Sequence, residues 1–266
     1  MNIQACIFDL DGTLSVEKRI IPWPVQETIR NMQRHGILCT VDTGNAFIQY
    51  IRKFGGQFTP NAPLILENGS RICDMWESYL VSPALEPEII DAIPWIIEHN
   101  EVNLIGFYPG LYDNYLFYSE VGYIPEALYH TTFARYVTYA DLLRHMHDFS
   151  PSRLVLSITN DYLQLPEGFV GSVFSNLGVY EITPQGVDKQ WGVKKWSELM
   201  NIPLENIAVF GNGHNDIPLL SSPVGMKVYV GNECEPLADL ATHRVDSAYD
   251  LEDFLAQEIL LSKKKG

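Results

Sequence analysis

A short apolar segment near the start of the chain, residues 5–8, runs directly into the sequence Asp9-Leu10-Asp11-Gly12-Thr13. Continuous apolar runs of this length are typical of buried strands. Because residues i and i+2 of a strand point to the same side, we expect Asp9 and Asp11 to crowd one site at the carboxyl end of this strand. Two such carboxylates repel each other unless a cation or a shared proton lies between them. The pattern alone fits either a catalytic site or a polar turn, and the rest of the chain must distinguish the two.

The segments after this turn alternate between helices and short apolar strands. Apolar residues at helical spacing predict a helix that begins at Val25, and a buried strand is predicted over 37–41. A second helix follows from Ala46, and a third strand over 63–66 leads into a hairpin turn and a return strand over 71–74. Strands that alternate with helices predict a parallel sheet covered by helices on both faces, with ligands bound at the carboxyl ends of the strands.

Residues 82–183 differ from the rest of the chain because their Tyr and Phe content is higher and their alternation of strand and helix is less regular. Paired strands predicted over 103–108 and 115–119 favour an antiparallel sheet in this block. Regular alternation resumes after the block. We therefore predict an α/β fold in which residues 1–81 and 184–266 form a Rossmann-like core, with residues 82–183 inserted as a separate α+β domain.

The composition restricts the class of protein and of partner. A hydrophobic share of 46% and a charged share of 19% are those of an ordinary soluble globular protein, and no apolar run approaches the roughly 20 residues of a membrane span. The net charge of −15 argues against a nucleic-acid partner, because phosphate backbones require a basic surface. The N-terminus enters the first strand directly and the four cysteines form no C-x-x-C pair, so we predict a reduced, cytoplasmic protein without a zinc or redox motif.

Polar side chains follow three of the predicted core strands, and a lysine begins the helix before the last of these strands. They are Asp9 and Asp11, then Asp42 and Thr43, then Asn212, Asn215 and Asp216, and the lysine is Lys189. In a parallel sheet such strand ends meet along one edge. Carboxylate and amide oxygens suit Mg²⁺, whereas hydroxyl, amide and ammonium donors suit phosphate oxygens. The set therefore indicates Mg²⁺-assisted phosphoryl transfer.

These residues also carry a resemblance to a known family. Four segments resemble, in chain order, the four motifs of the haloacid dehalogenase (HAD) superfamily: Asp9-Leu10-Asp11-Gly12-Thr13, Thr43-Gly44, Lys189 and Gly211-Asn212-Gly213-His214-Asn215-Asp216-Ile217-Pro218. The insert between the second and third motifs resembles that of the type II capped, Cof-like phosphatase branch. The resemblance extends over residues 3–232, essentially the whole chain. It implies that residues 82–183 form a cap that closes over the site and determines substrate specificity.

The resemblance implies a role for each motif residue. Asp9 would be the nucleophile that forms an aspartyl-phosphate, Asp11 would protonate the leaving alcohol and then activate water, and Lys189 would offset the negative charge of Asp9 and of the phosphoryl group. The implied phosphate-binding residues are Thr43, Gly44 and Asn215. The implied Mg²⁺ ligands are Asp9, Asp11 through its backbone carbonyl, Asn212 and Asp216. Alternatively, Asp216 would orient Lys189.

Together these features are typical of a Mg²⁺-dependent phosphomonoesterase that acts on a small phosphorylated metabolite, and a sugar phosphate is the substrate class that we expect. A phosphoglycolate-type phosphatase and a sugar phosphotransferase stay open as variants. A catalytically weak family member that binds a phosphorylated ligand for regulation is the alternative from a different class. A membrane ion pump shares the nucleophile chemistry but needs membrane spans, which the sequence lacks.

The sequence departs from the family's pattern at two positions. Asn212 stands where the family usually has Asp, so we expect weaker Mg²⁺ binding than in an Asn212→Asp variant. Asn45 stands where the branch often has Arg, which removes a cation able to contact phosphate or the cap. Asp42 fits equally well as a strand-end cap and as a site residue, whereas His214 is predicted to lie on the surface.

Overall fold

The computed structural model of the protein describes residues 2–110, 115–119, 134–176, 178–232 and 234–261. It divides into a core unit, Met1–Val81 with Asp188–Gly266, and an insert unit, Ser82–Val187. This second boundary differs from the predicted end of the insert at residue 183. The Thr183 hydroxyl donates to the Val187 carbonyl, and the Val187 N–H donates to the Pro184 carbonyl. Because of these bonds, the turn that follows the last strand of the insert belongs to the insert unit.

Short strands and helices alternate along the described residues. The strands are β1 (Ala5–Phe8), β2 (Leu38–Val41), β3 (Leu64–Leu66), β4 (Arg71–Cys73), β5 (Tyr79–Val81), β6 (Val102–Phe107), β7 (Tyr115–Tyr118), β8 (Ala134–Tyr136), β9 (Leu154–Ile158), β10 (Ser172–Asn176), β11 (Val179–Thr183), β12 (Ile207–Gly211), β13 (Met226–Val230) and β14 (His243–Val245). The helices are α1 (Trp23–Arg34), α2 (Phe47–Phe54), α3 (Pro87–Asp91), α4 (Ile93–His99), α5 (Tyr139–Phe149), α6 (Lys189–Met200), α7 (Ile217–Ser221), α8 (Glu235–Leu240) and α9 (Leu251–Phe254). Short 3₁₀ segments lie at Leu204–Asn206 and His214–Asp216, and a π-helical segment, Leu255–Leu260, continues α9. In the described part of the chain, none of the helices has both the length and the apolar character that a membrane span requires.

The parallel sheet of the core unit has the strand order β14-β13-β12-β1-β2 within the described residues. Phe8, the last residue of β1, pairs with Phe210 of β12 on one side and with Val41 of β2 on the other. The carboxyl ends of these three strands are therefore level with one another. This register brings the polar residues after each strand, which are distant in sequence, to one edge of the sheet, as the sequence predicted.

Helices cover both faces of this sheet because the strands are apolar on both sides. On one face, Ile7 of β1 shares a buried cluster with Trp196 of α6. On the other face, the Phe8 ring stacks on Phe210 with a centroid separation of 4.5 Å, and Phe210 meets Phe254 of α9 edge-on. The predicted α/β fold with a parallel sheet between helices is confirmed.

The third predicted strand forms the first arm of the predicted hairpin and not a full member of the parallel sheet. β3 pairs antiparallel with β4, and it adjoins the parallel sheet through a bridge between Asp42 and Ile65. Positive φ angles at residues 67–69 reverse the chain after β3. A side chain at Gly69 would meet the Asp188 carbonyl, so the turn requires glycine and packs against the residue before α6.

The insert unit has the predicted α+β character. Its sheet, in the strand order β10-β11-β9-β6-β7-β8 over the described residues, is antiparallel apart from the β7–β8 pair. Ile93 of α4 and Leu142 of α5 contribute to the buried cluster that packs on it. Residues 87–99 form two helices, α3 and α4, that are divided at Ala92, because Pro94 has no N–H to continue the helical hydrogen bonds.

Candidate active site

Lys189, the first residue of α6, lies at the centre of a buried cluster at the carboxyl edge of the parallel sheet. Its Nζ donates to Asp9 Oδ1 at 2.7 Å, to Asp216 Oδ1 at 2.7 Å and to the Asp42 carbonyl at 2.9 Å. The side chains of Lys189, Asp9 and Asp216 are 1%, 6% and 0% exposed. All three ammonium hydrogens are thus used, and the lysine joins the ends of β1 and β2 to the segment after β12.

Asp216 is fixed by the backbone as well as by the lysine. Its Oδ2 accepts hydrogen bonds from the N–H of Asn212 at 2.9 Å and of Gly213 at 3.0 Å. A Cβ at Gly211 would lie 2.7 Å from the Asp216 Cβ, so the close packing of this loop requires glycine there. Because both carboxylate oxygens are already bonded, the geometry favours the role of orienting Lys189 over that of a direct metal ligand.

Burial governs the protonation of this cluster. It raises the pKa of Asp9 to about 7, with Asp216 adding to the rise and Lys189 opposing it. Burial would lower the pKa of Lys189, but Asp216, Asp9 and Asp42 outweigh it and raise that pKa, so the ammonium stays charged. The cluster therefore places one ammonium among three carboxyl groups and carries an excess of negative charge when all three are ionised.

Asp42 belongs to the cluster through its backbone carbonyl, which accepts from Lys189. Both of its carboxylate oxygens are buried without a hydrogen-bond partner among the described residues. Burial raises the pKa of Asp42 well above its ordinary value, and Lys189 opposes the rise. Since the carboxylate bonds to none of the neighbouring N–H groups, the reading as a strand-end cap finds no support.

Asn45 joins the turns that follow β1 and β2. Its Nδ2 donates to Asp11 Oδ2 at 2.8 Å and to Thr43 Oγ1 at 2.9 Å, and its backbone N–H donates to Thr43 Oγ1 at 3.1 Å. Because the Thr43 oxygen already accepts twice, its own hydrogen is left to donate to another group. The residue that sequence reasoning treated as the loss of a cation thus holds two predicted site residues together.

A second lysine, Lys53 near the end of α2, reaches the same group. Its Nζ lies 3.4 Å from Asp11 Oδ2 and 3.2 Å from Asn45 Oδ1. Sequence reasoning missed this residue. The signal that could have found it is the four-residue spacing of Asn45, Gln49 and Lys53. In a helix this spacing places polar side chains on one side, here from just before α2 to near its end.

Asn212 is bound to the turn that follows β1. The Thr13 hydroxyl donates to Asn212 Oδ1 at 2.9 Å. Gly12 has a φ of 99°, and a Cβ at this position would meet the Asn212 amide. Glycine therefore permits the close approach of the amide, whose oxygen keeps a second lone pair for a donor or a cation.

Gly44 and Asn215, the remaining predicted phosphate-binding residues, lie in the turns after β2 and β12. Gly44 is packed beside the Asn68 side chain. Asn215 is half-buried in the 3₁₀ segment, and its side chain bonds to no other described residue, which leaves the amide open to a ligand. His214 beside it is exposed, as the sequence predicted.

The oxygens at this edge fit a hard divalent cation. Carboxylate, amide and carbonyl oxygens of Asp9, Asp11 and Asn212 are the donors that Mg²⁺ prefers, and a cation would offset the negative charge that contributes to the raised pKa of Asp9. Within the described residues, no group of three or more His, Cys, Asp or Glu side chains is arranged to hold a metal ion.

Comparison with known proteins connects this geometry to a family. The sequence profile of the haloacid dehalogenase-like hydrolases matches residues 6–258. An HMP-PP phosphatase from Enterobacter sp. (strain 638) is 24% identical over 249 residues, which cover 89% of this chain and 87% of that protein. A 5-amino-6-(5-phospho-D-ribitylamino)uracil phosphatase from Bacillus subtilis (strain 168) is 24% identical over 265 residues, which cover 94% of this chain and 93% of that protein.

A solved structure shows the same fold. The HAD subclass IIB sugar phosphatase BT4131 superimposes with a TM-score of 0.73 at 17% sequence identity, covering 96% of this chain and 98% of that one. The agreement extends over nearly the whole length of both chains, so it includes the core unit and the insert unit alike. At this identity the likeness concerns the fold.

Proposed function

Because the chain belongs to the haloacid dehalogenase-like hydrolases, we propose that it is a Mg²⁺-dependent phosphomonoesterase that cleaves small phosphate esters through an aspartyl-phosphate formed on Asp9. The predicted HAD-superfamily, Cof-like membership and the prediction of a phosphatase are confirmed by the profile and by the relatives. The observation that carries the proposed chemistry is the contact of Lys189 Nζ with both Asp9 Oδ1 and Asp216 Oδ1. It gives the proposed nucleophile a fixed position beside a permanent positive charge.

The proposed reaction has two displacements at phosphorus. Lys189 binds Asp9 Oδ1, which leaves Oδ2 as the attacking oxygen. A bond forms between Oδ2 and phosphorus while the bond from phosphorus to the leaving oxygen breaks, and that oxygen receives a proton from Asp11. Water then transfers a proton to Asp11 and attacks phosphorus, which breaks the bond to Asp9 and releases inorganic phosphate.

Thr43, Gly44 and Asn215 are the proposed phosphate-binding residues. The Thr43 hydroxyl hydrogen is left to donate because its oxygen accepts twice from Asn45. The Asn215 amide has no bond to another described side chain or backbone group and can donate to a phosphate oxygen. Such donors stabilise the negative charge of a transferring phosphoryl group.

Asp9, the Asp11 carbonyl and Asn212 are the proposed Mg²⁺-binding residues. Asp216 is proposed to act through Lys189, because both of its carboxylate oxygens are already bonded within the protein. A bound Mg²⁺ supplies positive charge that offsets Asp9 and the phosphoryl oxygens. The hydrogen bond from the Thr13 hydroxyl to Asn212 Oδ1 restricts the orientation of this amide, which supports the proposal. Asn212 brings no charge of its own, which supports the expectation of weaker binding than with Asp at this position.

A phosphorylated sugar or a similar small phosphate ester is the proposed substrate. The two relatives are named as phosphatases of HMP-PP and of 5-amino-6-(5-phospho-D-ribitylamino)uracil, and the structural neighbour is named as a sugar phosphatase. The net charge of −15 disfavours a nucleic-acid substrate. We assign substrate selectivity to the insert unit, as a cap, because all of the proposed catalytic residues belong to the core unit.

The test is phosphate release from p-nitrophenyl phosphate and from a panel of sugar phosphates, with Mg²⁺ and with EDTA. Asp9→Asn removes the nucleophile, and we expect it to lower kcat by at least about 10³-fold. Asp239→Asn makes the same change at an exposed position of α8 and serves as the matched control. We expect this control to retain wild-type activity.

Turnover in Asp9→Asn at the wild-type rate, or turnover that EDTA leaves unchanged, would contradict the proposal. Binding of phosphate esters without metal-dependent turnover would favour the regulatory role. Transfer of the phosphoryl group to an added sugar, measured against release of inorganic phosphate, would favour a phosphotransferase.

A further inference from the structure

The Asp11 carboxylate is held by the protein at one of its two oxygens. Oδ2 accepts from Asn45 Nδ2 at 2.8 Å and lies 3.4 Å from Lys53 Nζ. Oδ1 is buried and has no hydrogen-bond partner among the described residues. A buried acceptor without a partner is unfavourable for the fold, and such groups are often functional. Oδ2 is therefore the oxygen that the protein holds in place, and Oδ1 is the oxygen that can contact a reacting group.

Lys53 and Asn45 support each other in this contact. Lys53 Nζ donates to Asn45 Oδ1 at 3.2 Å, and Asn45 also donates to Thr43 Oγ1. The Lys53 side chain is 16% exposed, so solvent screens its charge only in part. Asn45 and Lys53 both contact Asp11 Oδ2 and are hydrogen-bonded to each other, so together they restrict rotation of the Asp11 carboxylate.

Lys53 also brings a positive charge close to position 45, where the motif has none. Asn45 stands where the Cof-like branch often has Arg. From about two helical turns further along the chain, α2 brings the Lys53 ammonium to the amide of this same residue. A positive charge therefore lies beside Asp11 even though the motif itself lacks one.

We propose that Lys53, together with Asn45, is a positioning residue that holds Asp11 Oδ2 so that Oδ1 faces the leaving oxygen, an inference that rests on the proposed phosphatase function. In the first displacement the proton moves from Asp11 to the leaving oxygen as the bond from phosphorus to that oxygen breaks. Lys53 takes no part in this transfer. The effect of Lys53 on the reaction rate is therefore expected to increase with the basicity of the leaving oxygen.

The test compares kcat/KM of the wild type and of Lys53→Met for p-nitrophenyl phosphate and for phenyl phosphate, at saturating Mg²⁺. The p-nitrophenolate ion leaves without a proton, whereas phenolate is a stronger base. Because kcat/KM reports the steps up to departure of the leaving group, slow hydrolysis of the aspartyl-phosphate does not mask the effect. We expect a loss of roughly tenfold with phenyl phosphate and of less than about twofold with p-nitrophenyl phosphate.

Three further variants separate positioning from general damage. Lys53→Arg keeps the charge, and we expect it to retain phenyl phosphate activity to within about threefold of the wild type. Arg52→Met removes the adjacent exposed cation of α2 and is expected to preserve the ratio between the two substrates. Asn45→Arg, introduced into Lys53→Met, moves the cation to position 45 and is expected to recover part of the loss with phenyl phosphate.

Equal losses with the two substrates in Lys53→Met, or no loss with either, would overturn this inference and leave the proposed function intact. A selective loss of phenyl phosphate activity in Arg52→Met would overturn it as well, because the effect would then not be specific to the contact of Lys53 with Asp11. Absence of Asp9-dependent turnover in the wild type would overturn the proposed function first, so the two failures are distinguishable.

Discussion

Lys189 and Lys53 each bring an ammonium group to a carboxylate of the first motif, but their surroundings differ. Lys189 is 1% exposed and donates three hydrogen bonds of 2.7–2.9 Å, whereas Lys53 is 16% exposed and lies 3.4 Å from Asp11 Oδ2. Removal of one partner from a buried group of charges leaves the others uncompensated, while a partly exposed pair is screened by water. From this comparison we expect Lys189 to support both the fold and the proposed chemistry, and Lys53 mainly to set the orientation of one carboxylate.

The largest effect is expected from Lys189→Met, which leaves Asp9 and Asp216 buried without their cation. We expect the free energy of unfolding to fall by about 3–5 kcal/mol, and phosphatase activity to be lost. Urea denaturation measures the first effect. Combining Lys189→Met with Asp216→Asn removes one uncompensated charge and is expected to recover stability but not activity. Unchanged stability in Lys189→Met would remove the distinction between the two lysines.

A pH dependence of stability is the next prediction, and it concerns only the buried cluster. The pKa of Asp9 is raised from 3.8 to about 7 by burial and by Asp216, so between these values the folded protein binds more protons than the unfolded chain. The free energy of unfolding should therefore fall as the pH rises through this range in the presence of EDTA. Asp9→Asn removes this contribution, and its stability should change less between about pH 5 and about pH 7. An equal or steeper fall in Asp9→Asn would contradict the assignment.

A smaller effect is expected at Asn212, where the site lacks a charge. Asn212→Asp adds a carboxylate to the proposed ligands, and we expect the Mg²⁺ concentration for half-maximal activation to decrease roughly tenfold. Asn31→Asp adds the same charge at an exposed position of α1 and is the matched control. Identical Mg²⁺ activation curves for the wild type and Asn212→Asp would refute the prediction.

The two clusters also differ in how far the sequence predicts them. Asp9, Lys189 and Asp216 each occupy a motif at a strand end or at the start of a helix, so strand–helix alternation and the parallel register are enough to bring them together. The contact of Lys53 with Asp11 depends instead on the length and direction of α2. Those features follow from packing of the helix, and the four-residue spacing of Asn45, Gln49 and Lys53 indicates only that the three side chains share one side of it.

The local geometry of two turns accounts for two further differences between the predicted and the observed structure. The predicted end of the insert lies before the observed boundary because Thr183 and Val187 are bonded across a turn, which no hydrophobic pattern reveals. β3 was predicted both as a strand of the parallel sheet and as the first arm of a hairpin. The positive φ angles of residues 67–69 reverse the chain after β3, so that β3 and β4 form the hairpin.

The smallest effect is expected on the stability of Lys53→Met. Because the Lys53–Asp11 pair is partly exposed and its atoms are 3.4 Å apart, we expect the free energy of unfolding to change by less than about 1 kcal/mol. Urea denaturation of Lys53→Met, beside Arg52→Met and Lys189→Met, measures this difference. A small change in stability together with a selective loss of phenyl phosphate activity is the combination that a positioning residue produces. A loss of stability as large as that of Lys189→Met would instead make Lys53 a second structural lysine, and its effect on activity would then follow from damage to the turn that holds Asp11 and Asn45.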